Sequence, residues 1–462
     1  MTVNGFMRWR VQAAVILAGG LAPGCMLESD KDEAPPVLAR TEQRVTQPTS
    51  DFPATYARQW MTNLANSVRW DTIHPAVAAR TYSYGAVGVY EAVVHGMPGK
   101  RSLAGQLNGL DALPTPDPAL EYDWPTVLAQ TMHVFVMNSA YVFPNRVFFE
   151  FTTFTQASLQ ALGPIQIGFR RAAGVPVGVI ENSIAFGSAL GSALSAWADA
   201  DGYRALRYEG FIPPVGPQYW VPTGFSDFDK VHIPEEPHFG EVRPLVMTST
   251  DECAPPPPTP FSTEPGSAFY AQAKAVYDAE VNLTDEQREN ARFWADGPGA
   301  TPTPAGHWLA LATKTLRSRN LADAALGYAF TSLGYLDSFI AIWQSKYQYN
   351  VLRPETYIRR HIDPGWQTFL PTPFFPEYVS GHSGVSGASG TLFDTLFGAG
   401  PVVDDTKLRR GFAARSFANY TEAAREAMVS RLYGGIHYPM SNENGFALGQ
   451  CVAARIVERI HL

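Results

Sequence analysis

From Leu321 to Tyr349 the chain runs through apolar and small residues, with Asp323, Asp337 and Lys346 as its only charged side chains, and it is halted before Pro354. A helix this apolar on every side has to be buried by other elements, so the rest of the chain must build a shell around it. The same helical recurrence is carried by Ala79, Tyr82, Ala86, Val89, Tyr90 and Val93, by Ile184, Leu190, Leu194 and Trp197, and by Leu448, Cys451, Val452, Ile456 and Ile460, whereas β-type alternation is scarce. The expected fold is all-α. Two helical bundles, residues 52–205 and 267–462, are joined by a Pro-rich connection over 206–266 that contains Gln218-Tyr219-Trp220-Val221-Pro222 and the run Pro255 to Pro258. Such stretches cannot continue a helix. The connection is expected to pack over both halves, with a mobile tip around Asp251 to Pro260. Thr284-Asp285-Glu286-Gln287 has capping-box spacing, and the helix it starts is expected to end at Gly297-Pro298.

With 462 residues and 45% hydrophobic composition the chain can bury a large core. A net charge of -8 without a Lys/Arg run excludes a nucleic-acid surface, which leaves small anionic or neutral substrates. Arg8 and Arg10 precede an apolar stretch, Val11 to Ala22, that ends in Ala22-Pro23-Gly24-Cys25. Residues 1–25 therefore read as a secretory leader, either plain or of lipoprotein type with a lipid anchor at Cys25, although Leu21 and Pro23 depart from the usual lipoprotein pattern. Residues 26–51 read as a flexible tether. The expected location is the periplasm, the outer membrane as a lipoprotein, or the medium, and no later run is expected to span a bilayer. Cys253 and Cys451 have neither metal-ligand nor redox spacing. Export would permit a disulfide between them, but Cys451 lies on an apolar helical face and is expected to be an ordinary core residue.

Three separated segments carry residues suited to one oxyanion. In the first, Arg353 lies seven positions after Lys346, nearly two helical turns, so the two cations would share a face about 20° apart if the helix persisted that far. Like charges on one face repel unless an anion sits between them. In the second, Phe374-Phe375-Pro376-Glu377-Tyr378-Val379-Ser380-Gly381-His382, an extended stretch meets a small-residue helix with Ser380 as N-cap. Backbone donors at a helix start attract anions, and Gly381 would let one come close; His382 is placed for acid–base work near neutral pH. In the third, a helix should stop at Gly434-Gly435 and leave His437 on a tight loop turned toward Arg431. Arginine offers a donor fork matched to tetrahedral oxyanions, and a neutral imidazole nitrogen can coordinate a metal or attack phosphorus. Each segment alone has a plain structural reading: a solvated lysine, a capped helix with an incidental histidine, a loop histidine bonded to backbone.

Together, Lys-x6-Arg-Pro, Ser-Gly-His and Ser-Arg-x5-His resemble the signature shared by vanadium-dependent haloperoxidases and type-2 phosphatidic acid phosphatases, closely over residues 337–445. A looser resemblance to exported bacterial haloperoxidases runs from about residue 52 to the end and includes Phe293-Trp294-Ala295-Asp296-Gly297 and Gly306-His307-Trp308. The resemblance implies a vanadate cofactor ligated at vanadium by His437, with its oxygens bonded by Lys346, Arg353, Ser380, Gly381 and Arg431. It gives His382 the acid–base role, with Lys346 and Asp296 as further catalytic residues, Asp296 matching an acid that pairs with Arg353. Trp343 and Phe375 match aromatics lining a halide pocket, and Asp337 matches a family acid of unassigned role.

Two positions depart from the pattern. Val379 stands where a Pro commonly precedes Ser-Gly-His, and Ser441 stands where an Asp usually follows the ligand histidine by four residues. In the phosphatase branch that acid orients the histidine as a nucleophile, so its absence weakens a phosphatase reading more than a vanadate one. The expected activity is vanadate-dependent oxidation of halide by hydrogen peroxide to hypohalous acid. The alternatives are a phosphomonoesterase with His437 as nucleophile and a non-catalytic envelope lipoprotein. Halide preference, organic acceptor and oligomeric state stay open.

Overall fold

Local sequence signals set most of the helix boundaries in the computed structural model, which describes residues 47–140, 151–223 and 234–462. The leader, Cys25 and most of the tether lie outside the described residues. In chain order the helices are α1 (Thr55–Trp70), α2 (Pro75–Glu91), α3 (Trp124–Ala140), α4 (Thr153–Ala172), α5 (Val177–Asp199) and the single turn α6 (Tyr203–Leu206). They continue with α7 (Ala268–Val281), α8 (Asp285–Phe293), α9 (Thr303–Thr315), α10 (Leu321–Tyr349) and α11 (Pro354–His361). The last three are α12 (Gly381–Phe397), α13 (Tyr420–Tyr433) and α14 (Pro439–Arg459). Among the described residues the only sheet is a ribbon of β1 (Val402–Asp404) and β2 (Arg415–Phe417), antiparallel with Val402 opposite Phe417. The fold is all-α.

Helix α10 is the buried axis. The Asn320 side chain caps its start by accepting from the Asp323 amide, and Asn350 ends it in the left-handed region at φ 48°. On one side α10 packs on α2, on the other against α12 and α14, inside a hydrophobic core that runs from Phe52 to Ile460. Helices α12 and α14 approach so closely that a Cβ at Gly449 would run into the carbonyl of Gly384, and glycine there permits the contact. That close approach brings the start of α12 beside the start of α14, where the second and third motif segments lie.

The structure corrects several expectations. Because α10 stops at Tyr349, Arg353 is not on its face but N-caps α11, whose first residue is Pro354. The capping box of α8 is present, but the helix ends at Phe293 instead of Gly297-Pro298, and Asp296 sits at φ 43°. By length and composition, α5 and α10 are both apolar enough to cross a membrane, contrary to the sequence expectation; α10 is nearly all buried inside the protein, and α5 about half. Cys253 and Cys451 form a disulfide, so Cys451 is not an ordinary core residue.

The tip of the connection is tied down as well. Beyond the disulfide, Tyr378 Oη donates to the Pro256 carbonyl at 2.5 Å. Asp337, in the middle of α10, accepts from the amides of Leu245, Val246 and Met247 at 2.6–2.9 Å. Burial pushes its carboxyl up to about 6 despite those three donors. This carboxylate gives the family acid a role: it fastens the connection to the axial helix.

Candidate active site

The three motif segments meet at His437. The Gly pair ends α13 as expected, with Gly435 in the left-handed region at φ 74°, and the reversed chain places His437 just before α14. Its Nδ1 lies 2.8 Å from Glu377 Oε1 and its Nε2 lies 3.3 Å from Arg353 Nη1. A guanidinium can only donate, so Nε2 accepts and Nδ1 carries the proton that goes to Glu377. Loss of hydration on burial, and then the charges of Arg353, Lys346 and Arg431, push the His437 imidazole well below its ordinary pKa. It is a neutral ring whose Nε2 lone pair faces cations.

Lys346 and Arg353 converge through a chain reversal instead of a shared helix face. The Phe375 ring organises both: Lys346 Nζ and the Arg353 guanidinium carbon each lie 5.0 Å from its centroid, a cation–π arrangement. Lys346 Nζ also donates to the carbonyls of Pro376 and Glu377, each at 2.9 Å, and Arg353 Nε donates to Phe375 O at 3.0 Å. Burial, reinforced by Arg353, holds the Lys346 amine well below the usual range, and burial lowers Arg353 to about 10. Trp343 packs on Phe375 at 5.0 Å between ring centroids and donates its indole N–H to Glu235 O. Of the two aromatics proposed for halide contact, Phe375 thus neighbours both cations and Trp343 neighbours Lys346.

Ser380 caps α12 through its hydroxyl, which accepts from the Ser383 amide. A Cβ at Gly381 would meet only Phe339 and Trp343, at 3.8 and 4.0 Å. Those are ordinary contacts, so packing does not demand glycine there; close approach of an anion to the main chain would. Lys346, Arg353, Ser380, Arg431 and His437 are buried, while Gly381 and His382 keep partial exposure and mark the open side of the cluster. His382 is bonded to the Ala295 backbone, and loss of hydration followed by the charge of Arg431 pushes its pKa well down.

Asp296 does not pair with Arg353. It receives Lys407 Nζ at 2.6 Å and His307 Nδ1 at 2.8 Å, while His307 Nε2 meets Asp404 at 2.7 Å. Burial would raise the Asp296 carboxyl, but the charges of Lys407 and His307 outweigh it and hold it well below the usual range. Its charge acts on His382 and Arg431, so Asp296 serves that side of the site. Arg431 donates through Nη1 to Trp294 O at 2.8 Å, and burial lowers it to about 10. Protein partners account for part of each arginine's donor set and leave the rest unmatched. Arg353 Nη2, Arg431 Nε and His382 Nε2 are buried with no protein partner, and such atoms call for a partner of some kind.

Sequence reasoning missed Glu377, Lys407 and Asp404. Glu377 lies inside the second motif segment, but nothing in its spacing points to His437. Lys407 and Asp404 come from the β1 ribbon region, which carries no helical pattern.

Known proteins share this fold. The family model described as the VCPO second helical-bundle domain matches residues 361–461. A solved bacterial vanadium-dependent iodoperoxidase superposes with a TM-score of 0.78 at 32% identity, covering 89% of this chain and 97% of that one. The apo and holo forms of a bacterial vanadium-dependent chloroperoxidase share the fold, each with a TM-score of 0.59, at 13% and 14% identity. They cover 85% and 91% of this chain and 95% and 99% of their own. A search of curated proteins returns no match. With a relative of this identity spanning nearly its whole length, the chain belongs to the vanadium-dependent haloperoxidase family.

Proposed function

We propose that this protein is a vanadate-dependent peroxidase that oxidises halide with hydrogen peroxide to hypohalous acid. The observation that carries the reading is the set of buried donors without protein acceptors, Arg353 Nη2 and Arg431 Nε, with His382 Nε2 likewise unpartnered, beside a neutral His437. A tetrahedral oxyanion fits that donor set by charge and by hydrogen bonding. His437 would ligate vanadium, while Lys346, Arg353, Ser380, Gly381 and Arg431 would hold the oxygens. When bound, vanadate supplies a Lewis-acid centre that activates peroxide without changing its own oxidation state.

The remaining work falls to the chain. The reaction H2O2 + X⁻ + H⁺ → HOX + H2O consumes one proton and deprotonates peroxide on the way. His382 Nε2, neutral and on the open side of the cluster, would take the peroxide proton and return it to the leaving oxygen. The two arginines and Lys346, all buried, would balance the charge of the oxyanion. Trp343 and Phe375 would give the halide an apolar approach beside Lys346.

Reconstitution with vanadate, metal analysis and peroxide-dependent oxidation of iodide and bromide test the proposal. Iodide comes first because the 32% identical relative is an iodoperoxidase. Retained vanadium with halide turnover is the expected result; no retained vanadium, or phosphomonoester hydrolysis in place of halide oxidation, would overturn it.

We also propose that the protein works outside the cytoplasm, in the envelope or the medium. The Cys253–Cys451 disulfide supports this, since such bonds persist in oxidising compartments. Mass spectrometry of the natively produced N-terminus tests it, and an intact Met1 on a cytosolic protein would overturn it.

A further inference from the structure

Ser441 occupies the place from which a carboxylate would be expected to orient His437. Its Oγ is 3.4 Å from His437 Nδ1, too long for a firm hydrogen bond, whereas Glu377 Oε1 is at 2.8 Å. The Glu377 carboxylate comes from a different segment, the extended run before α12. The same oxygen accepts from the Tyr438 amide at 3.0 Å, which fixes it against the backbone next to the ring. Glu377 is fully buried, its own carbonyl accepts from Lys346 Nζ, and its amide bonds Val351 O at 3.0 Å. One residue therefore ties the lysine, the turn after α10 and the histidine into a single arrangement.

A bland account would make Glu377 a counter-charge buried for the sake of Arg353 and Lys346. Its charge does act on both, but the hydrogen bonds of the carboxylate go elsewhere: Lys346 uses the carbonyl of Glu377, Arg353 donates to Phe375 O, Ile436 O and His437 Nε2, and the carboxylate oxygen in use is spent on His437 and Tyr438. With Arg353 donating to Nε2, the only consistent tautomer puts the proton on Nδ1, toward Glu377. A carboxylate at that position fixes the ring's orientation and raises the basicity of the opposite nitrogen.

We propose that Glu377 is the positioning residue of His437, holding its Nδ1–H tautomer so that Nε2 is presented as the ligating lone pair, in the role that position 441 leaves vacant. The proposal rests on the vanadate reading for its consequence, but not for its geometry. The side chain supplied by the second segment, through a contact 60 residues long in sequence, replaces the one missing from the third.

The test uses the full chain, free of vanadate, with its disulfide intact. Nitrogen-15 NMR of labelled histidines, with the signal assigned by His437→Ala, should show Nδ1 protonated in the wild type and mixed tautomers in Glu377→Ala. Dissociation constants for vanadate and for inorganic phosphate are then measured on both. Vanadate affinity should fall about 10- to 100-fold, as is common when a partner of a metal ligand is removed. Phosphate affinity should fall much less, because phosphate depends on the cations and not on a bond to Nε2. Glu377→Gln keeps the volume and an acceptor oxygen without the charge, so it guards against misfolding of the alanine variant and should fall between the two. A merely structural role would lower both affinities in parallel, and that result, or an unchanged tautomer in Glu377→Ala, would overturn the proposal. A wild type that prefers phosphate to vanadate would instead sink the vanadate reading, with the tautomer still deciding the role of Glu377.

Discussion

His437 and His382 differ in what holds their rings, and that difference separates their expected contributions. Both nitrogens of His437 are engaged, by Glu377 and Arg353, whereas His382 leaves Nε2 without a protein partner. Under the proposed function His437→Ala should lose vanadate binding and halide oxidation together. His382→Ala should still bind vanadate but turn over roughly 10²–10⁴-fold more slowly, the usual contribution of an acid–base group. Vanadate titration beside steady-state kinetics on both variants checks this, and wild-type affinity in His437→Ala would contradict the ligand assignment. A second prediction concerns His307, held between Asp296 and Asp404. Burial and Lys407 would lower its pKa, but the two carboxylates outweigh them and raise it above 6.5. A raised folded-state value contributes stability that is fully present below 6.5 and lost as pH rises through the folded value; Asp404, depressed below 3.8, contributes above 3.8 and loses it as pH falls. The melting-temperature gap between wild type and His307→Gln should therefore be widest between 3.8 and 6.5 and narrow on the alkaline side. A gap independent of pH would mean that His307 is not held as an imidazolium.

At the scale of elements, α10 carries two loads at opposite ends of its C-terminal half. Near its end Lys346 enters the proposed oxyanion site, and two to three turns earlier Asp337 holds the connection through Leu245, Val246 and Met247. Removing that carboxylate leaves three buried backbone donors unpaired, each of which costs on the order of 1–3 kcal/mol. Asp337→Ala should lower stability by about 3 kcal/mol or more, with Asp337→Asn intermediate, as read from urea midpoints. Amide exchange at residues 245–247 should quicken in the same variants; exchange at the wild-type rate would show that something else secures the segment. The α12–α14 crossing has a different task. Its glycine contact at Gly449 brings Ser380 and Gly381 beside the start of α14, so crowding there would move the helix-start donors away from His437.

Across the whole molecule, the Cys253–Cys451 bond closes 198 residues of chain and fastens the connection to the last helix. In a chain-entropy account a loop of that length is worth about 5 kcal/mol, less any strain. The Cys253→Ser/Cys451→Ser variant, or wild type under reductant, should melt lower and lose order first around residues 249–260. The proposed oxyanion site is held by other contacts, so anion affinity measured well below the melting point should be preserved. Equal melting temperatures with and without reductant would remove the disulfide from the list of stabilising contacts.

What the sequence determined by itself is local. Helical periodicity, the Thr284 capping box, the Ser380 cap and the Gly434-Gly435 stop are all short-range signals, and the structure has each of them. The motif residues Lys346, Arg353, Ser380, Arg431 and His437 were legible because their spacing and order resemble a family signature. Tertiary structure decided which charges meet. Glu377 reaches His437 across 60 residues and Lys407 reaches Asp296 across 111, and Arg353 arrives through a turn instead of a helix face. Helical spacing predicts which residues share a face, and it carries no information about which distant carboxylate comes to rest at 2.8 Å instead of 3.4 Å. That choice depends on how closely packed helices approach one another, and in a buried site a difference of half an ångström selects the partner.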